Sequence, residues 1–181
     1  MPSTQEIQDK VLEVASRYIG QREIPPNKGF MDPAFEKDML AIGWQKGWPW
    51  CASFVRLVYL TALKELGAGD GFITLIGGSL KHSAVVTYNM CRLDKHFTIS
   101  LTPSPGGIIV WSTGAGHGHE GLCERLNDNP GKWMTTIEGN TNDKGSREGE
   151  VCAEKQRVYG TVDPKWKYLG CITLKGDDGI V

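Results

Sequence analysis

The 181-residue chain lacks several features that mark particular classes of protein. It has no run of roughly 18 apolar residues, which a membrane-spanning helix requires, and its first residues do not resemble a secretion signal. Lysine and arginine form no cluster and the net charge is −1, so we expect neither nucleic-acid binding nor membrane insertion. The sequence therefore predicts a soluble protein made in the cytoplasm, which something else must export if it acts outside the cell.

The five cysteines include no Cys-x-x-Cys pair, which argues against a zinc ribbon and against a thioredoxin-type redox site. If one cysteine is reactive, the other four could form two disulfides. A chain without a secretion signal favours the alternative, in which the four are small buried apolar side chains. These four are Cys91, Cys123, Cys152 and Cys171.

Internal repeats, low-complexity segments and linkers are also absent, so we expect one domain over residues 1–175 and a flexible tail at 176–181. Helical patterns occupy the first half, from Ser3 to Gly20, Asp32 to Gly43, about Pro49 to Gly67, and Ser79 to about Arg92. Short β-type runs follow at 108–111, 118–126, 133–138, 151–158 and 168–174. Helices followed by strands predict an α+β domain with a mostly antiparallel sheet of five or six strands.

One cysteine, Cys51, stands at the start of the third predicted helix, directly after Trp48-Pro49-Trp50. The proline fixes the start of the helix, so Cys51 falls in the first turn, where unpaired backbone N–H groups act as a partial positive charge. That setting lowers the pKa of a thiol and favours the nucleophilic thiolate. A buried structural cysteine is the alternative, and position alone does not decide between them.

A thiolate nucleophile needs a base, and His117 and His119 lie two residues apart in one extended segment. Alternate residues of a strand point the same way, so either histidine could reach a common site. His119 is the better candidate because it lies at the start of a strand, whereas His117 lies in a glycine-rich loop. His82 and His96 are expected on the surface.

A third group must hold the imidazole in the correct tautomer. Glu138 and Asn140 lie on one face at the end of a predicted strand, and either could accept the N–H of His119. A strand that simply runs into a turn at Gly139-Asn140 would explain the same residues without any chemistry.

Taken together and in this order, these segments resemble the CHAP family, the papain-like amidohydrolases and peptidases of phage endolysins and bacterial autolysins. The resemblance rests on Trp-Cys-Ala-x-Phe-Val, Gly-His-x-Gly-Leu and Thr-Ile-Glu-Gly-Asn-Thr, at 50–55, 118–122 and 136–141. It implies a papain-like fold, Cys51 as nucleophile, His119 as base, Glu138 and Asn140 as the further polar residues, and bacterial peptidoglycan as substrate. It implies no cofactor.

Two positions depart from the family pattern. Gly107 stands where an acidic residue is usual, and Glu120 stands where an aliphatic one is usual. Glu120 lies on the opposite strand face from His119, so we expect altered packing and unchanged chemistry. The aspartate-rich calcium loop of some relatives is absent before Cys51, so no metal is implied.

Other residues suggest how a substrate is held. Gln45, six residues before Cys51, has the spacing of the side-chain oxyanion donor in papain-like enzymes. A groove for a glycan–peptide substrate could be lined by Trp48, Trp50 and Trp111, with His117 beside them. Packing in the core explains the tryptophans equally well.

The sequence does not choose between an N-acetylmuramoyl-L-alanine amidase and a stem or cross-bridge endopeptidase. The same chemistry suits an endolysin or an antibacterial effector, the latter with an immunity or inhibitor protein as partner. In each setting we expect a monomer that reaches the periplasm or cell wall by holin- or secretion-system-dependent export.

Two alternatives come from other classes of protein. Zinc could be held by His117, His119 and Cys123, but this leaves Cys51 and the pair Glu138 and Asn140 unexplained. An inactive wall-binding module is disfavoured by the full set of catalytic residue types.

Overall fold

A computed structural model describes residues 2–127, 132–142, 149–160 and 166–178. Within them, helices precede strands. The helices are α1 (Thr4–Ser16), α2 (Pro33–Ala41), α3 (Cys51–Glu65), α4 (Asp70–Ser79) and α5 (Ala84–Leu93). The strands are β1 (Phe97–Ser100), β2 (Ile108–Gly114), β3 (His117–Leu126), β4 (Trp133–Thr141), β5 (Val151–Val158) and β6 (Lys167–Leu174).

The first two helices begin as their local sequences predict. The Ser3 hydroxyl accepts from the Glu6 N–H, and the Glu6 carboxylate accepts from the Ser3 N–H, so the capping box is formed. At α2, the Asp32 carboxylate accepts from the N–H groups of Ala34 and Phe35, with Pro33 in the first turn. Both starts are therefore decided by short-range hydrogen bonds.

The helix predicted from Ser79 to about Arg92 is present as α5, but it begins five residues later, at Ala84, and a separate helix that was not predicted, α4, precedes it. The sequence pattern missed α4 because three of its ten residues are glycines, which weaken a helix. The Arg56 guanidinium of α3 donates to the carbonyls of Gly77 and Leu80 at the end of α4. A tertiary contact thus stabilises an end that the local sequence does not favour.

The described strands form one antiparallel sheet in the order β1-β6-β2-β3-β4-β5. The sequence did not predict β1, which has four residues and pairs only with β6 at the sheet edge. The predicted α+β class, with helices packed on an antiparallel sheet, is confirmed. In the described part of the chain, no helix has both the length and the apolar character needed to cross a membrane.

The sheet buries side chains on both faces. The helices cover one face, and α3 lies at the centre with Phe54, Val55 and Val58 fully buried. A second, smaller core on the other face contains Trp111 and Tyr168 together with four further buried residues, Ile109, Cys123, Met134 and Cys171. All five cysteines are buried and free.

The start of the predicted tail lies against α1. The Gly176 N–H donates to the Thr4 hydroxyl at 2.9 Å, and the Asp178 carboxylate accepts from the Thr4 N–H at 2.8 Å. Residues 176–178 are therefore held by hydrogen bonds. The predicted flexibility of 179–181 concerns residues outside those that the structure describes.

Candidate active site

Cys51 is the first residue of α3, and Trp50, which precedes it, offers no side-chain cap to the helix. The free N–H groups of this first turn therefore remain available to an anionic partner. The N–H groups of Ala52 and of Glu120 on β3 both act on the Cys51 sulfur and lower its pKa. The sulfur is thus surrounded by donors from two elements, while the residue is 8% exposed.

His119 lies on β3 directly opposite Trp111 on β2. Its Nε2 lies 2.9 Å from Oε2 of Glu138, and its ring also interacts with the Cys51 thiol. The Trp111 indole stacks on the imidazole with 6.1 Å between ring centroids. The structure therefore brings Cys51, His119 and Glu138 into one series of interacting groups.

Glu138 is fully buried and both of its carboxylate oxygens accept hydrogen bonds. Oε1 accepts from the Thr136 hydroxyl at 2.6 Å and from Nε of Arg157 at 2.7 Å. Oε2 accepts from Nη2 of Arg157 at 2.6 Å and faces His119. Four donors thus compensate a carboxylate that has no contact with water.

The charges of the three groups support one another. Burial alone would raise the pKa of the Cys51 thiol, but the charge and hydrogen bond of His119 outweigh burial and lower it. Burial alone would lower the pKa of His119, but Cys51 and Glu138 raise it to about 10. For Glu138, burial opposes ionisation, while Arg157 and His119 bring its pKa far below the ordinary value. These shifts favour a thiolate–imidazolium pair beside an ionised glutamate.

Asn140 does not orient the imidazole as the sequence suggested. Its φ of +52° turns it away from the extended strand conformation, and its Oδ1 accepts from the Trp50 N–H at 2.6 Å. Its Nδ2 donates to the Gly149 carbonyl at 2.8 Å. Asn140 therefore holds the start of α3, and of the two residues predicted to orient the imidazole, Glu138 is the one that contacts His119 in the described structure.

The three tryptophans predicted to line a groove differ in their exposure to solvent. Trp50 is fully buried between aromatic rings and its indole N–H donates to Glu23, so its assignment to a groove is wrong. Trp111 is 3% exposed and lies against His119, whereas Trp48 is 39% exposed. His117 is exposed at the start of β3.

Gln45 is exposed in the turn before α3. Its role as an oxyanion donor stays a prediction.

The histidines expected on the surface are both half-buried. A ring nitrogen of His82 lies 2.8 Å from the hydroxyl of Ser53, and one of His96 lies 2.7 Å from the carboxylate of Asp94. The sequence did not predict the partial burial of these histidines, because each is held by a hydrogen-bonding partner that the apolar pattern of the sequence does not reveal.

The zinc alternative finds no site in the described residues, where no group of three His, Cys, Asp or Glu side chains could hold a metal. His119 already contacts Cys51 and Glu138. Cys123 is fully buried in the core on the outer face of the sheet.

The two departures from the family pattern have physical explanations. A Cβ at residue 107 would lie 2.4 Å from the Cys171 sulfur, so an acidic side chain has no room there. Glu120 is 1% exposed on the helix-facing side of β3, and its Oε2 has no hydrogen-bond partner among the described residues. Burial and the nearby Cys51 raise its pKa well above the ordinary value, so the neutral form of this carboxyl is favoured in the folded protein.

Sequence reasoning missed Arg157 and Trp166. The Arg157 guanidinium lies over the rings of both Trp111 and Trp166, at 5.6 and 5.3 Å from their centroids. A groove of about 350 Å³ opens beside Arg157 and the two indoles, and Trp133 and Tyr168 also line it. In the sequence Arg157 appears only as an arginine inside a β-type run. Its contact with Glu138 depends on the pairing of β4 with β5, which the local sequence does not indicate.

A family model described as a CHAP domain matches residues 43–140, more than half of the chain. The matched stretch contains Cys51, His119, Glu138 and Asn140, and Arg157 lies beyond its end. A comparison with curated proteins finds no match.

Proposed function

Because the chain belongs to the CHAP-domain family, the amidases and peptidases of peptidoglycan, we propose that it is a cysteine hydrolase of the bacterial cell wall with Cys51 as nucleophile. The observation that carries this proposal is the buried series of interacting groups from Cys51 through His119 to Glu138. A structural cysteine would need neither an ionised partner nor a lowered pKa. His119 is the proposed base and Glu138 the group that orients it.

The first half of the reaction forms a thioester. The Cys51 thiolate, whose proton His119 holds, attacks the carbonyl carbon of a peptidoglycan amide bond. The backbone N–H of Cys51 at the start of α3 is the proposed donor to the oxyanion, a type of contact worth about 3 kcal/mol in other enzymes. Gln45 is the proposed second donor. The C–N bond then breaks as the His119 imidazolium gives its proton to the leaving amine.

The second half releases the acyl product. His119, now neutral, takes a proton from a water molecule, and the resulting hydroxide attacks the thioester carbonyl. The C–S bond breaks, the Cys51 thiolate returns, and the product leaves as a carboxylic acid. Glu138 accepts from Nε2 throughout, so the other ring nitrogen of His119 always faces the sulfur.

The binding surface and the place of action are further parts of the proposal. Trp48 and His117 are exposed and Trp111 lies against His119, so these three are the proposed substrate contacts. The bond cleaved is an N-acetylmuramoyl-L-alanine amide or a stem or cross-bridge peptide bond. The enzyme would act in the periplasm or cell wall after holin- or secretion-system-dependent export.

The decisive experiment is digestion of purified peptidoglycan by the wild type and by Cys51→Ala, with mass spectrometry of the products. We expect products from the wild type and a loss of at least about 1,000-fold in Cys51→Ala, because no other group replaces the nucleophile. Cleavage that frees the amino group of the stem L-alanine identifies an amidase, and cut stems or cross-bridges identify an endopeptidase.

Cys91→Ala is the matched control, because Cys91 is also buried but its described hydrogen bond goes to the Ser79 carbonyl and not to a charged group. This variant should retain the wild-type products. Full activity of a folded Cys51→Ala variant would contradict the assignment of the nucleophile. Absence of products from the wild type on several wall types would contradict the substrate.

A further inference from the structure

The carboxylate of Glu138 is a buried charge that needs more than His119 to stabilise it. A carboxylate without contact to water is costly unless it is paired and fully hydrogen-bonded. His119 supplies one N–H to one oxygen. If this were the only charged partner, the proton could move to Glu138 and leave two neutral groups.

Arg157 supplies the missing compensation. Its Nε and Nη2 each bind a different oxygen of Glu138, at 2.7 and 2.6 Å, so the two groups form a two-point contact. The indole rings of Trp111 and Trp166 lie near its guanidinium at 5.6 and 5.3 Å. The arginine therefore has both a fixed position and a charged target.

We propose that Arg157 is a positioning residue, whose guanidinium holds Glu138 ionised and in one orientation so that Glu138 keeps His119 protonated and aimed at Cys51. This rests on the proposed function of these three residues. It goes beyond the family resemblance, because Arg157 lies seventeen residues past the end of the matched stretch.

The surroundings of the pair favour this role over general charge compensation. Among the described residues, Glu138 interacts with three ionisable groups. These are His119 from β3, and Arg157 and Cys152 from β5. Cys51, like Glu138, acts on His119. Arg157 is the one permanent cation in this described set, and its planar guanidinium matches a carboxylate as a lysine ammonium does not.

A merely nearby cation and a positioning residue predict opposite changes at His119. Removal of a nearby cation makes the site more negative, so the pKa values of both Cys51 and His119 rise. If Arg157 instead keeps Glu138 ionised, removal of Arg157 lets Glu138 become protonated. The neutral Glu138 no longer stabilises the imidazolium, so the pKa of His119 falls. The pKa of Cys51 still rises, because the imidazolium that stabilises the thiolate is lost.

The experiment compares wild type, Arg157→Met and Arg157→Lys with two measurements on the folded protein. The rate of Cys51 alkylation by iodoacetamide against pH gives the pKa of Cys51, and a ¹H–¹⁵N NMR titration gives that of His119. For Arg157→Met we expect the Cys51 value to rise and the His119 value to fall, each by about one pH unit or more. Arg157→Lys keeps the charge but loses the second contact, so it should show the same directions with smaller shifts.

Arg125→Met is the matched control, because Arg125 is a half-exposed arginine of β3 that pairs only with its neighbour Glu124 among the described residues. Neither pKa should move in this variant. A rise of both values in Arg157→Met, or unchanged values, would overturn the proposal. If Arg157→Met does not fold, Arg157→Lys decides the question, because a nearby-charge role predicts no shift there.

Neither measurement uses peptidoglycan. Failure of the wild type to digest cell wall would therefore contradict the proposed function while leaving the role of Arg157 to be judged by the two titrations.

Discussion

Glu138 occupies a space that exists because residue 121 is a glycine. A Cβ at residue 121 would lie 2.6 Å from Cγ of Glu138, and one at residue 118 would lie 2.3 Å from the Trp111 carbonyl oxygen. Both distances are far shorter than a carbon can tolerate. The two glycines of the Gly-His-x-Gly segment therefore give room to the neighbours on either side of His119.

We expect Gly121→Ala to move Glu138 away from His119. Overpacking of this kind typically costs about 1–3 kcal/mol in the free energy of unfolding, and activity should fall by more than the fraction unfolded explains. Urea unfolding and peptidoglycan digestion measure the two effects.

Gly71→Ala is the matched control, since residue 71 lies in α4 with open space around its Cβ position. It should stabilise the protein by up to about 1 kcal/mol through helix propensity and leave activity unchanged. Wild-type activity in Gly121→Ala would show that the position of Glu138 is not critical.

At the scale of elements, the site is the meeting of the start of α3 with the end of β4. Glu138 and Asn140 lie two residues apart near the end of β4. Glu138 contacts His119, whereas Asn140 contacts the Trp50 N–H. The positive φ of Asn140 produces this division. The end of β4 thus orients the base through Glu138 and holds the start of the nucleophile's helix through Asn140.

We expect Asn140→Gly to destabilise the protein by about 1–3 kcal/mol, because the Trp50 N–H and the Gly149 carbonyl lose their partner. Activity should fall as well, since the position of Cys51 depends on the start of α3. Thermal or urea unfolding together with the digestion assay checks both outcomes.

Lys132→Gly is the control for the backbone, because Lys132 is exposed and has a φ of +56°. Glycine relieves this conformation, so the variant should be neutral or slightly more stable. Equal stability changes in the two variants would mean that the Asn140 hydrogen bonds contribute nothing.

Across the whole molecule, stability depends on which groups change protonation on folding. Between about pH 7 and 8.5 the folded pair of Cys51 and His119 holds one proton on the ring, and the unfolded pair holds one on the thiol, so the pair cancels. Glu120 does not cancel. Its folded pKa is raised well above 4.5, so the folded state binds a proton that the unfolded chain has lost.

We therefore expect Glu120 to make the free energy of unfolding fall as the pH rises above about 7, with a contribution to the slope of at most about 1.4 kcal/mol per pH unit. Glu120→Gln should flatten this slope, because the amide cannot ionise in either state. Urea unfolding at several pH values measures it.

Glu124→Gln, on the same strand but partly exposed, should leave the slope as it is. A slope unchanged in Glu120→Gln would show that Glu120 is not the responsible group.

The sequence by itself determined much of the fold and part of the site. Capping residues and apolar periodicity act over a few residues, so the starts of α1 and α2 and the five longer strands could be predicted locally. The position of Cys51 at the start of α3 was predicted for the same reason, since Pro49 lies directly before that start.

Only the tertiary structure decided what surrounds these residues. The glycine-rich α4 depends on Arg56, the burial of Trp50 depends on aromatic rings from other segments, and the contact of Arg157 with Glu138 depends on the pairing of β4 with β5. Each is a contact between residues distant in sequence, so its free energy leaves no periodic trace in the sequence. Cys51 could be recognised locally, but the charges that stabilise its thiolate are assembled only by the fold.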